Sequence, residues 1–165
     1  MSALSNTGDE WIARLDLQPH PEGGWFRRIY TADQQLPCEQ GVRPLATSIY
    51  YLLNAQQPRG CLHRNRSDIL HFLIDGGPLE YWVLNAAGAL QRTRLGADGE
   101  HFLLVPGACW KASQLVDGAT QGLIAEVVTP GFDYADHQFA DAAEIQRQYP
   151  QHFDALRPFL RGAGD

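Results

Sequence analysis

Between Leu45 and Val128 the chain alternates short apolar-rich runs with small polar separators. The runs LATSIYYLL, CLHR, DILHFLI, LEYWVL, ALQRTRL, HFLLV, ACWKASQL and TQGLIAEVV are parted by NAQQP, NRS, DGGP, NAAG, GADGE, PG and VDG. Each separator carries the Gly, Asn, Asp or Pro that a tight turn requires. About eight strands at this spacing, with no helical period among them, predict an antiparallel all-β sandwich or barrel. Ahead of them, Asn6 or Thr7 can cap a short helix with Asp9 and Glu10 in its first turn, an apolar stripe of Trp11, Ile12 and Leu15, and Pro19 ending it. The HPEGG turn then leads into an aromatic strand, Trp25 to Tyr30, followed by a polar loop from Ala32 to about Arg43. Beyond Pro130-Gly131 the pattern turns helical: Asp141 caps AAEIQRQY, Pro150 breaks it, HFDALRPFL makes a second amphipathic piece, and RGAGD reads as a disordered tail.

Composition narrows the function classes. The 165 residues suit one domain, and 13 Lys and Arg against 19 Asp and Glu give a net charge of -6 with no basic run beyond Arg27-Arg28. Nucleic acid is therefore not an expected partner, since phosphate binding draws on clustered positive charge. No apolar segment reaches the ~20 residues of a membrane helix, and MSALSNTGDEW has neither a basic nor an apolar leader region, so the chain reads as cytoplasmic. Cys38, Cys61 and Cys109 form no CxxC pair and read as reduced thiols. Phosphate loop, GxSxG and HExxH patterns are missing from the sequence.

The candidate chemistry concentrates in GCLHRNRSDILHFLIDG, Gly60 to Gly76. Side chains alternate along a strand, so His63 and Asn65 share one face, and Ile69, His71 and Leu73 share one on the next strand. Lys111 shares a face with Cys109 and Ser113, opposite Trp110 and Ala112, and reads either as solvated or as reaching towards an anionic ligand. Glu126 interrupts the apolar strand GLIAEVV, where a carboxylate needs a partner or a role. Glu22, Arg27 and Arg28 flank the aromatic turn near the start, and Tyr51 belongs to the strand aromatics that line either core or site.

HPEGGWF, TSIYYLL, HRN with His71 downstream, LVPGACWKAS and EVVTPGFDYADH occur in that order, and together they resemble the small single-domain cupins of unknown function, a yeast member among them. The resemblance implies a double-stranded β-helix, the cupin jelly roll, as one domain over 1–165. Its barrel would span about 20–139, flanked by a short N-terminal helix and C-terminal helices over about 140–161, and it would pair as a homodimer. Laid on the general cupin metal pattern, His63 keeps a ligand position while Asn65, Ile69 and Lys111 replace the other three. A lysine ammonium repels a cation, so no metal cofactor is expected at the usual site, although His71, His101 and Glu126 are available for a different one. The segment from Arg59 through His63 also resembles that carrying the histidine base of deoxysugar-nucleotide epimerases, with Tyr134 in place of their tyrosine acid.

Two readings stay open. One is a metal-independent epimerase or isomerase acting on a small anionic, carbohydrate-like substrate, with His63 as base, Tyr134 as acid and Lys111 and Arg59 as charge partners. The other is a non-catalytic sensor or carrier. Under either, Arg59, Asn65, His71, Lys111, Glu126, Glu22, Arg27 and Tyr51 are the ligand-binding candidates.

Overall fold

The computed structural model describes residues 7–162, so the alternative cap Asn6 and the end of the RGAGD tail lie outside the described residues. Thr7 caps helix α1 (Gly8–Leu15) through a reciprocal capping box: its Oγ1 accepts from Glu10 N at 3.3 Å, and Glu10 Oε2 accepts from Thr7 N at 2.7 Å. The helix ends where Asp16 turns left-handed at φ 52°, before Pro19 is reached.

Among the described residues thirteen strands follow: β1 (Gln18–Pro19), β2 (Trp25–Thr31), β3 (Gln35–Cys38), β4 (Gly41–Pro44), β5 (Thr47–Asn54), β6 (Arg59–Asn65), β7 (Asp68–Gly76), β8 (Leu79–Leu84), β9 (Leu90–Leu95), β10 (Phe102–Val105), β11 (Trp110–Leu115), β12 (Gln121–Thr129) and β13 (His137–Phe139). They form a six-stranded sheet, β1-β2-β5-β12-β7-β10, and a five-stranded sheet, β13-β6-β11-β8-β9. From β5 onward the chain passes repeatedly between the two sheets, which face one another as an antiparallel jelly roll.

The segment expected as a polar loop after β2 is instead the hairpin β3–β4, paired from Gln35↔Pro44 to Cys38↔Gly41. Pro37 and Pro44 obscure it in the sequence, yet a two-stranded ribbon tolerates prolines on its unpaired sides. Strand β13 was likewise not legible as a strand, being only His137–Phe139 against β6.

Three apolar clusters set the layers. Leu17, Leu52 and Leu123 bury the stripe of α1 against the outside of the six-stranded sheet. Helices α2 (Ala142–Gln148) and α3 (Phe153–Leu156) cover the outside of the other sheet, where Ile145, Leu156 and Phe159 meet Leu62, Trp82 and Trp110. Lys111 and Ser113 therefore face the barrel interior, while Trp110 and Ala112 face the helices, and both faces of β11 are buried. Inside the barrel, Tyr51, Leu53, Leu79, Tyr81, Leu115 and Ile124 plug one end. The other end opens into a cavity lined by both polar and apolar side chains.

Candidate functional site

The cavity at that end holds about 270 Å³. Register determines who meets inside it. On the six-stranded sheet, pairing places Ile69 beside Val128 and Thr47, and one layer deeper His71 beside Glu126 and Ile49. On the facing sheet, Lys111 pairs directly with His63, and Asn65 follows two residues along β6. Along β2 the alternation turns Phe26 and Arg28 to the cavity and Arg27 outward, where its guanidinium bonds Leu15 O at 3.2 Å. Arg59 is exposed at the start of β6 and does not line the cavity. The arginine at the site is thus Arg28, not Arg27 or Arg59.

Glu22 enters the cavity from the HPEGG turn. Gly23 and Gly24 hold φ of 94° and 78°, a region open to glycine, and their missing side chains let the turn lie against Arg59 O and Leu52 O. Cys61 N then donates to Glu22 O at 2.7 Å, fastening the turn to β6. On the opposite flank Arg43, itself buried, grips Asp136 with two hydrogen bonds of 2.8 and 3.0 Å. That bidentate pair holds the turn of residues Tyr134–Asp136, which delivers His137 to the site.

Four ionisable side chains from these elements converge. Glu22 Oε1 accepts from His137 Nε2 at 2.8 Å, and Glu22 Oε2 lies 3.3 Å from His63 Nε2. His63 Nδ1 is 2.7 Å from Cys61 O and must donate to it, so Nε2 of the neutral ring carries a lone pair facing the carboxylate. His20 Nδ1 accepts from Glu22 N at 3.0 Å, which places its own proton on Nε2, at the cavity wall. Burial alone would raise the Glu22 pKa, but the charge of His63, the hydrogen bond from His137, and His20 and Lys111 outweigh it and hold the carboxyl well below its ordinary range. Burial pulls His63 down to about 4 against the opposing pull of Glu22, so the ring is neutral at pH 7.

A second cluster lies deeper. Lys111 Nζ donates to His71 Nε2 at 2.9 Å and stands 3.5 Å from Glu126 Oε1. His71 Nδ1 donates to Leu103 O at 3.1 Å, and burial followed by the Lys111 charge drives its pKa well below 6.5, which keeps the ring neutral. Burial raises Glu126 while Lys111 lowers it. His71 and Glu126 thus come together with Lys111, whereas His101 is exposed. Tyr51 is buried and donates to Gly23 O at 2.8 Å, making it a wall that supports the HPEGG turn. Tyr134 stands at the rim, 59 % exposed, with its ring 4.9 Å from that of Phe132. His20 and His137 were not singled out from sequence, although both lie within the motif stretches HPEGGWF and EVVTPGFDYADH.

A double-stranded β-helix with an open, histidine-lined end defines a cupin. The chain belongs to the family described as Cupin superfamily (DUF985), whose model matches residues 9–140. It is 33% identical over 156 residues to the uncharacterized Saccharomyces cerevisiae protein YML079W, covering 84% of this chain and 75% of that one. A hypothetical protein from Leishmania major superposes with a TM-score of 0.87 at 31% identity, over 94% of this chain and 99% of that one. At the level of fold alone, similarity extends to Bacillus subtilis oxalate decarboxylase (TM-score 0.57, 14% identity, 96% and 41% of the two chains) and a dTDP sugar isomerase from Desulfovibrio desulfuricans (0.52, 15%, 70% and 83%).

The usual cupin metal does not fit this donor set. His63, Asn65, Ile69 and Lys111 do line one pocket, but they offer one imidazole, a neutral amide, a hydrocarbon and an ammonium. Glu22, His63 and His137 bring ligand atoms within 4.8 Å of one another. Their rings, however, stack 5.2 Å apart at 19°, and each Nε2 addresses its own carboxylate oxygen.

Proposed function

We propose that the cavity binds a small anionic, carbohydrate-like substrate and isomerises it by metal-independent proton transfer, with His63 as base. The observation that carries this reading is the Glu22 carboxylate 3.3 Å from the His63 Nε2 lone pair. His63 Nε2 takes the proton next to a carbonyl, the C–H electron pair moves onto the carbonyl oxygen as an enolate, and the new imidazolium donates to Glu22 Oε2. The Lys111 ammonium stabilises the enolate oxygen. Tyr134 at the rim returns a proton to carbon, and His137 holds Glu22 in place. The dTDP sugar isomerase that shares the fold adds support of analogy only.

The test is solvent deuterium. Small oxo sugars and their phosphates are incubated with the protein in D2O and followed by NMR for loss of the proton next to the carbonyl. Exchange by the wild type that disappears in His63→Ala supports the isomerase. Ligands that bind without exchange in any member of the panel would make the cavity that of a carrier or sensor instead.

A further inference from the structure

Asn65 is 5% exposed, and its Oδ1 accepts from Ser67 N at 3.3 Å, which fixes the amide orientation. Its Nδ2 has no protein partner among the described residues, and the side chain lines the cavity. It opens onto the cavity, where an acceptor on a ligand can take the hydrogen bond that water otherwise makes. Lys111 Nζ spends hydrogens on His71 and Glu126 and has a third to give. Both donors come from the five-stranded sheet, at positions where the cupin metal pattern has histidines.

The facing sheet contributes Arg28, Thr47 and Glu126, but between them it is of different character. Ile69, at the pattern's glutamate position, lies against Val128, and Ile49 and Phe26 extend the same apolar wall. A sugar ring bristling with hydroxyls leaves such a wall unused, and a cavity of about 270 Å³ falls just below the ~300–1,000 Å³ of drug-sized sites. A sugar joined to a nucleotide is not enclosed by it.

From this division we infer that the ligand is a small oxo- or hydroxy-carboxylate bearing a hydrocarbon arm, its oxygens on Asn65 Nδ2 and Lys111 Nζ and its arm on Ile69 and Val128. This keeps the anionic character of the proposed substrate, replaces its carbohydrate-like part with a hydrocarbon arm, and rests on that cavity being the binding site. The carbon next to the oxo group then faces the His63 and Glu22 pair. An arm seated on the apolar wall gains roughly fourfold in affinity for each added methylene until the space is filled.

Calorimetric titration with pyruvate, 2-oxobutyrate, 2-oxopentanoate and 2-oxohexanoate tests this without requiring turnover. Affinity is expected to climb along the series. Asn65→Ala is expected to weaken every member about tenfold while preserving the slope, and Ile69→Asn to flatten the slope while pyruvate binding persists. Unchanged melting temperatures show that both variants fold, and Asn65→Asp, which places a carboxylate where the donor stood, serves as a second probe of the same oxygen. No heat from any member, an affinity independent of chain length, or an Asn65→Ala variant that binds like wild type would overturn the inference. Binding along the series with no deuterium exchange leaves it standing and removes the isomerase reading; exchange on sugars with no binding of the acids does the reverse.

Discussion

Glu22 Oε2 and His63 Nε2 face one another across 3.3 Å, and the hydrogen bond of His63 Nδ1 to Cys61 O leaves two acceptors opposed. Such a pair attracts a proton. It stabilises the imidazolium that forms when the ring acts as base, but adds nothing to the neutral ring. Glu22→Gln keeps the volume and the acceptor for His137 yet removes the charge. Solvent exchange should therefore fall on the order of a hundredfold or more, with the melting temperature changing little. Exchange at the wild-type rate in Glu22→Gln would remove Glu22 from the chemistry.

Three histidines are held neutral by burial, and this makes the fold acid-sensitive. His63 is drawn down to about 4, His71 lies well below 6.5, and His20 is also lowered, in each case chiefly by burial. Unfolded histidines bind protons near pH 6.5, so between that value and the folded pKa the unfolded chain holds more protons and stability rises with pH. The contribution is present above pH 6.5 and lost as the pH falls through about 4. For His63 alone it is on the order of 3 kcal/mol. Urea unfolding at pH 7.5 and 4.5 should show a marked drop in midpoint at the lower pH, less in His63→Gln. A midpoint independent of pH over that range would contradict the neutral assignment.

The strands, their turns and the face shared by His63 and Asn65 were legible because side-chain alternation is local. Lys111 beside His71 was not, since it depends on which sheet each strand joins. Arg59 looked like a site residue from its proximity to His63 in the chain, but four positions along a strand amount to most of its length, and it ends at the exposed edge of the barrel. Glu22 was a candidate only as a charge near glycines; its pairing with His63 and His137 joins segments 41 and 115 positions distant. No periodicity reports such a contact.

Lys111 and Glu126 test the deeper cluster. Lys111→Met leaves Glu126 buried without its cation, which costs on the order of 3–5 kcal/mol when one partner of a buried pair is lost. Lys111→Met combined with Glu126→Gln should recover most of that loss, because no charge is then stranded. Chemical denaturation of the two single variants and the double variant gives the coupling directly. Additive losses would mean the two side chains are energetically independent.

Gly60 marks a close approach between β6 and the wall behind it. A Cβ there would sit 2.5 Å from Ser113 Oγ and 2.9 Å from Tyr51 Oη. Gly60→Ala should push the Tyr51 ring away from Gly23 O, loosening the turn that carries Glu22, at a cost of roughly 1–3 kcal/mol. The reading is a lowered denaturation midpoint, restored in part by Ser113→Ala, which removes the nearer atom. A stable Gly60→Ala variant with wild-type ligand binding would show that the wall yields at little cost.

Metal content follows from the donor set. A tetrahedral site wants three or four imidazole, thiolate or carboxylate ligands with lone pairs meeting at one point. At the usual cupin position Lys111 brings a positive charge in place of a ligand, and at the neighbouring cluster the two imidazoles run nearly parallel, at 19°. His137 Nε2 moreover spends its hydrogen on Glu22 at 2.8 Å. Protein purified without a histidine tag should therefore carry only substoichiometric zinc, manganese or iron, and chelator should leave its melting temperature unchanged. Metal near one equivalent, lost in His137→Ala and retained in Lys111→Met, would instead place a cation between Glu22, His63 and His137, and His63 Nε2 would then be a ligand with no lone pair free to act as a base.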